Sequence, residues 1–333
     1  MTSVVTYTLI WTLARRPYKR DNVAAEASTS IPMACWNAWD LLVNLRGTGW
    51  NWLLGPIPRP SGESWSRPLF LLFAIARAIF CLLAFDMFTE AQFFDYQPRH
   101  INTIFDHPLA PIPRWIRALH LVYVSIWKAY FITEGVYQLN SAIFVTLFWQ
   151  HPSQWPPLFD RPWASTSLSD LWGRRWHQMV RHVGVTLGGQ PLTYFLGRPG
   201  YVLGTFLVSG IIHCIEFRAN GRGGYAIVEG GFYVMNAVGV LLERTWSKVA
   251  GRRVCGIYGW IWTLVWVTIW AVPMVDGWSK VGRFNTDIFA GSRPATSLLS
   301  LVLSDSVDRG FAANCVSLGI SVPFLVYTLF TLS

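Results

Sequence analysis

Long apolar runs dominate the pattern of hydrophobic and polar positions along this chain, and strict alternation is absent. Several runs have the length of a spanning helix, which rises about 1.5 Å per residue. They cover residues 68–88, 199–217, 225–243, 256–275 and 311–332, and a shorter run covers 4–14. The pattern predicts an all-α, polytopic integral membrane protein with about six to eight transmembrane helices.

Two of the runs need separate comment. The short run at 4–14 is followed by basic residues and lacks a small-residue cleavage site, so we expect a retained anchor rather than a signal peptide. Residues 116–149 are apolar but too long for one crossing and marginal for two, with Glu134 and Asn140 near a possible break. The topology of this stretch stays open.

Composition and charge support the membrane assignment. Only 14% of residues are charged, against about 25% in a typical soluble domain. The net charge of +9 comes largely from basic residues in short connections, at 15–20, 174–181 and 244–253. Such residues mark cytosolic loops, so nucleic-acid binding is not expected. The absence of repeats and linkers predicts one membrane-embedded domain over residues 1–333.

A basic and aromatic stretch, DLWGRRWHQMVR at residues 170–181, interrupts the apolar pattern. On a helix, Arg174, Gln178 and Arg181 would share one face, with Trp172, Trp176 and Val180 on another and His177 beside them. One interpretation is an interfacial helix that binds lipid phosphates. The other is an electropositive wall for a phosphate-rich ligand, with His177 facing a reaction chamber.

A second polar stripe lies inside the apolar run at 199–217. Thr205, Ser209 and His213 recur every four residues, and Glu216 follows His213 by one turn. A histidine at bilayer depth is costly unless it faces protein or water, so it indicates a functional site, although a packed histidine bonded to a carbonyl is the alternative. No metal site is expected, because no histidine or cysteine pair has metal-ligand spacing.

These two stretches carry a family resemblance. Residues 167–178, SLSDLWGRRWHQ, resemble a signature of the wax synthase-like branch of the membrane-bound O-acyltransferases, and SGIIH at 209–213 resembles its second motif. RGTGWNW at 46–52 is similar to a stretch in fungal members. Family members usually have more hydrophobic sequence ahead of that stretch, so we expect either a reduced member or one that has lost part of the usual tunnel wall.

The resemblance implies roles for individual residues. His213 takes the position of the catalytic histidine, and His177 that of an Asn or His in the wider superfamily. Neutral imidazole suits His213 to take the proton of an attacking hydroxyl, with Glu216 or Ser209 orienting its ring. The remaining motif residues are expected to bind coenzyme A, the arginines through its phosphates. They are Arg174, Arg175, Trp176, Gln178 and Arg181.

The expected function is transfer of an acyl group, acetyl above all, from acyl-CoA to a hydroxyl of an apolar acceptor. That acceptor would be a terpenoid or another secondary metabolite, and the partners would be membrane lipid, acyl-CoA and the lipophilic alcohol. We expect no permanently bound cofactor and a multi-pass location in the endoplasmic reticulum. The alternatives are an integral membrane terpenoid cyclase or isomerase and a scaffold or transporter. Coenzyme A requires the arginines, whereas a cyclase does not.

Overall fold

In a computed structural model of the protein, the structure describes residues 8, 10–12, 14, 17–20, 31–55, 65–95, 103–105, 109–219, 225–282, 284 and 294. The long helices are α1 (Ile31–Val43), α2 (Arg67–Asp95), α3 (Pro111–Leu147), α4 (Gln190–Ala219), α5 (Ala226–Ala250) and α6 (Gly256–Lys280). Short helical turns between α3 and α4 cover Pro152–Gln154, Pro162–Ala164, Leu168–Asp170, Leu171–Arg175, Arg181–Gly184 and Val185–Gly189.

Four helical stretches of the described chain are long and apolar enough to cross a membrane. They cover Arg67–Gln92, Arg181–Arg218, Ala226–Ala250 and Gly256–Lys280. The runs predicted at 68–88, 199–217, 225–243 and 256–275 are therefore confirmed as helices of an all-α membrane protein. The run at 311–332 and most of the run at 4–14 lie outside the described residues, so the total of six to eight spans stays a prediction.

The long stretch after residue 110 forms a single helix. α3 runs for 37 residues without interruption, which at about 1.5 Å per residue is about 55 Å. Glu134, near the suspected break, is buried, and its Oε1 accepts hydrogen bonds from Arg77 Nε at 2.5 Å and Gln138 Nε2 at 2.8 Å. The polar residues that suggested a break therefore serve contacts within α3 and between α2 and α3.

The helices pack in a spatial order that differs from their order in the chain. α2 packs on α3, α3 on α6, α6 on α5, and α5 on α4. Apolar side chains fill the space between α3, α5 and α6, including Leu121, Phe232 and Val275. Large apolar side chains on the outer face of α2, such as Leu72 and Ile79, stay exposed, as expected where lipid is the solvent.

The stretch Arg181–Arg218 is a tight helical hairpin rather than one long span. Gly197 has φ 59° and ψ −142°, which breaks the helix and reverses the chain. A side chain at either Gly188 or Gly204 would overlap the carbonyl of the other, so the two halves touch backbone to backbone. The reversal brings Ile212 into the same core cluster as Val183, near the start of the hairpin.

Candidate active site

The motif at 170–181 is not the continuous amphipathic helix that its sequence predicts. A π-helical turn at Leu171–Arg175 ends at Trp176, which is extended at φ −77° and ψ 153°, and a new helix starts at Arg181. The Gln178 Nε2 donates to the carbonyls of Trp172 at 3.2 Å and Trp176 at 2.6 Å. These side-chain bonds stabilise a folded loop in place of the helix, so the predicted shared face of Arg174, Gln178 and Arg181 does not form.

A buried carboxylate of α5 anchors the start of this loop. Glu243 accepts the backbone N–H groups of Leu168 at 2.6 Å and Ser169 at 2.9 Å, the Ser169 hydroxyl at 2.7 Å, and the Trp262 indole N–H at 3.0 Å. Trp172 makes a further link, since its Nε1 donates to Oδ1 of the buried Asn236 at 3.0 Å. Both contacts fix the loop against the membrane helices.

The arginines of the motif make contacts inside the protein. Arg174 and Arg175 bind opposite oxygens of Asp170, at 2.9 Å and 2.6 Å. Burial raises the pKa of Asp170, but the hydrogen bonds from Arg175 and Arg174 outweigh it and hold the pKa below its ordinary value. Arg181 Nη1 donates to the Gly173 carbonyl and to Gln178 Oε1. A role in binding coenzyme A stays a prediction for these residues, and Arg174 has the most exposed side chain of the three.

His177, in the same loop, packs against aromatic side chains. Its ring lies edge-on to Phe159, with centroids 5.8 Å apart, and next to Trp176 at 5.6 Å. Its Nδ1 is buried and has no hydrogen-bond partner among the described residues. Burial, followed by electrostatic interactions with His213 and Arg46, lowers the pKa of His177 to about 3, so the imidazole is neutral near pH 7. The two histidines of the predicted site therefore lie within electrostatic reach of each other.

His213 lies on α4 with a carboxylate at one edge and an aromatic ring on one face. The Glu216 Oε2 is 3.5 Å from His213 Nδ1. The ring stacks on Tyr233 of α5, with centroids 5.0 Å apart and planes 10° from parallel. Ser209 instead faces Gly184 across the hairpin, because a Cβ at Gly184 would lie 3.5 Å from its Oγ. Of the two orienting residues expected, Glu216 is therefore the one beside the His213 ring.

Sequence reasoning missed three residues of this neighbourhood. Arg46 is buried and donates to the carbonyls of Pro156 at 3.0 Å and Pro157 at 3.1 Å, and its charge reaches His177. The sequence indicated Arg46 only through its position in the RGTGW stretch. Tyr233 and Glu243 lie in an otherwise ordinary apolar run, and only the packing of α5 brings them to the site.

An open groove of about 350 Å³ runs between α4 and α5. Its lining is apolar apart from one cation, Arg218, and it includes Gly210, Ile211 and Cys214. His213 is not part of the lining, although it lies on the same helix. The groove therefore lies next to the candidate site of His177 and His213 and is not part of it.

Comparisons with known proteins agree with the motifs. A model described as the membrane bound O-acyl transferase family matches residues 155–234, which contain both histidines. The chain is 27% identical to acetyltransferase sirH of Emericella nidulans, over 83% of this chain and 67% of that protein. It is 30% identical to acetyltransferase aurG of Calcarisporium arbuscula, over 45% of this chain and 40% of that protein. No solved structure matches.

A plant relative extends the comparison beyond fungi. The long-chain-alcohol O-fatty-acyltransferase of Simmondsia chinensis is 32% identical, over 29% of this chain and 30% of that protein. The family match implies an acyl donor of the acyl-CoA class and an alcohol acceptor at a membrane, and the comparisons do not support the cyclase alternative. Residues 155–234 match the membrane-bound O-acyltransferase family, and the named relatives support an O-acyltransferase of its wax synthase-like branch.

Proposed function

We propose that this enzyme transfers an acetyl group from acetyl-CoA to the hydroxyl of a lipophilic alcohol, a terpenoid or another secondary metabolite. The relatives that carry the name acetyltransferase support the acetyl donor. The exposed apolar faces of the helices support an acceptor dissolved in the bilayer. The chain works as one domain over residues 1–333, in the endoplasmic reticulum membrane, where the cytosol supplies acetyl-CoA.

The observation that carries the proposal is the pair of histidines. His177 has a buried Nδ1 without a protein partner among the described residues, so this nitrogen is available to a ligand. Buried polar groups are nearly always paired, and an unpaired one favours a bound polar atom there. His213 is the second imidazole within electrostatic reach, and Glu216 lies at its Nδ1.

In the proposed mechanism His213 is the general base. Its Nε2 takes the hydroxyl proton while the alcohol oxygen forms a bond to the thioester carbon, and Glu216 stabilises the imidazolium through Nδ1. The C–S bond then breaks and the proton passes to the coenzyme A thiolate. His177, in the tautomer with its proton on Nδ1, donates to the thioester oxygen as negative charge develops on it.

The coenzyme A contacts of the proposal come from the motif loop. Arg174 contacts a phosphate, because its side chain is 46% exposed while Arg175 is 13% exposed. Arg175, Trp176, Gln178 and Arg181 shape the loop around the donor, and Ser209 supports the hairpin beneath it.

The test is acetyl transfer by purified variants, measured with radiolabelled acetyl-CoA and a panel of terpenoid alcohols. His213→Ala should lower kcat by about 10² to 10⁴, the range for losing a general base. His177→Ala should also lower kcat, and His177→Asn should keep more activity because an amide still donates and accepts. His151→Ala, at an exposed histidine, is the matched control. Wild-type turnover by folded His213→Ala would contradict the mechanism.

A further inference from the structure

The ring of His213 is held on one face by a residue of the neighbouring helix. Tyr233 lies nearly parallel to it, with planes 10° apart and centroids 5.0 Å apart. A second aromatic, Phe217, is farther away at 6.3 Å and tilted by 31°. Because Tyr233 belongs to α5 and His213 to α4, the orientation of the imidazole depends on how closely these helices approach.

A glycine one turn before His213 permits that approach. A Cβ at Gly210 would lie 3.3 Å from both Cβ and Cδ2 of Tyr233, tighter than most contacts of real side chains. The Tyr233 Cβ is fixed to its backbone, so it cannot rotate away from such a group. Gly210 thus lets the Tyr233 ring sit flat against His213, which gives a physical reason for glycine in the stretch SGIIH.

We propose that Tyr233 is a positioning residue for His213, and that Gly210 makes its stacked placement possible. This inference rests on the proposed role of His213 as general base. The stacked ring restricts rotation of the imidazole, so that Nδ1 stays beside Glu216 and Nε2 points away from it. When Nε2 takes the proton of the alcohol, the imidazolium lies within cation–π range of the tyrosine ring, about 6 Å.

Substitutions at Tyr233 separate the ring from the hydroxyl. Tyr233→Leu should lower kcat about tenfold, since the cation–π contact that stabilises the imidazolium would be lost. Tyr233→Phe keeps the stacked ring and should retain most of kcat. The KM values for acetyl-CoA and the alcohol should change less than about twofold, because the contact matters most in the transition state. Tyr194→Leu, at a tyrosine that is 86% exposed, should leave kcat unchanged.

A matched pair of glycines tests the helix approach. Gly210→Ala should lower kcat about threefold, whereas Gly231→Ala, where a Cβ meets nothing within 4 Å, should leave it unchanged. Both changes raise helix propensity equally, so a difference between them reports packing. If Gly210 acts through Tyr233, the double variant Gly210→Ala/Tyr233→Leu should be no slower than Tyr233→Leu alone.

The outcomes distinguish the positioning role of Tyr233 from the proposed role of His213 as general base. If Tyr233→Leu and Gly210→Ala both keep wild-type kcat while His213→Ala is inactive, Tyr233 does not position His213. His213 would then remain the proposed base. An equal loss in Tyr233→Phe and Tyr233→Leu would assign the effect to the hydroxyl and contradict stacking. If Tyr233→Leu fails to fold, the comparison of Gly210→Ala with Gly231→Ala tests the positioning role instead. Full activity in His213→Ala would instead remove the proposed function itself.

Discussion

At the residue scale, the polar side chains of the motif loop mostly bind one another or the backbone. Asp170, Arg175, Gln178 and Arg181 all have partners within the protein. His177 Nδ1 differs, because it is buried without a partner in the described part of the chain. The loop is therefore held by contacts within the protein and offers one buried nitrogen, an arrangement suited to a preorganised site.

Arg174 provides a test of donor binding. We expect Arg174→Gln to raise the KM for acetyl-CoA several-fold and leave the alcohol KM and kcat nearly unchanged, because a phosphate contact stabilises ground and transition states alike. Arg252→Gln, at an exposed arginine outside the motif, is the control. Steady-state kinetics with each substrate varied in turn will measure both constants. An unchanged KM for acetyl-CoA would mean that Arg174 does not bind the donor and has only a structural role.

His177 predicts a specific dependence of stability on acidity. Its pKa in the folded protein is about 3, lowered by burial and then by His213 and Arg46, against about 6.5 for a free histidine. Below about pH 6.5 this histidine is protonated in the unfolded chain but stays neutral in the folded protein. The free energy of unfolding therefore declines as pH falls toward 3. The melting temperature of wild type should drop more than that of His177→Asn between pH 7 and 4.5. An equal drop in melting temperature for wild type and His177→Asn would contradict a neutral His177 in the folded protein.

At the element scale, the apolar runs alone predicted α2, α5 and α6 and the second half of the hairpin. They could not predict the first half, because the segment VTLGGQPLTYFLG contains glycines and a proline and resembles a loop in isolation. Close backbone contact between Gly188 and Gly204 stabilises it as helix. The helix expected over 170–181 was wrong for a similar reason, since Glu243 and Asn236 of α5 bind the loop and sequence periodicity does not register partners so distant.

The hairpin contact predicts a strong effect of side-chain size. Gly188→Leu should destabilise the protein by about 3 kcal/mol, the upper part of the range for overpacking, because the obstacle is the backbone of Gly204. A Cβ at Gly231 meets no neighbour within 4 Å, so Gly231→Leu should melt close to wild type. Thermal unfolding of both variants in the same detergent is the measurement. Equal melting temperatures would mean that the two halves of the hairpin are not in contact.

At the scale of the whole molecule, the distribution of basic residues predicts the orientation of the helices in the membrane. Arg244, Lys248, Arg252 and Arg253 cluster where α5 ends and α6 begins. The Trp260 indole of α6 donates to the Trp163 carbonyl at 2.8 Å, so the start of the motif loop lies at the same end of α6. The positive-inside rule predicts that this end faces the cytosol.

Glycosylation mapping tests this orientation. An acceptor sequence inserted after Arg252 should remain unmodified in microsomes, whereas one inserted between α4 and α5, at the opposite end of α5, should be glycosylated. The second insertion is also the positive control for translocation. Modification at the first position alone would invert the orientation and move the acyl donor site away from the cytosol.

The ion pair of Arg77 with Glu134 has a consequence for how the chain enters the membrane during synthesis. A guanidinium near the middle of α2 would cost about 2.5 to 3.5 kcal/mol if that helix met lipid alone. Its partner lies 57 residues later, on α3. A nascent chain that has reached only α2 therefore holds an uncompensated charge, and lateral release from the translocation channel becomes more favourable once α3 has emerged beside it. These two helices should leave the channel together, as a preassembled antiparallel pair.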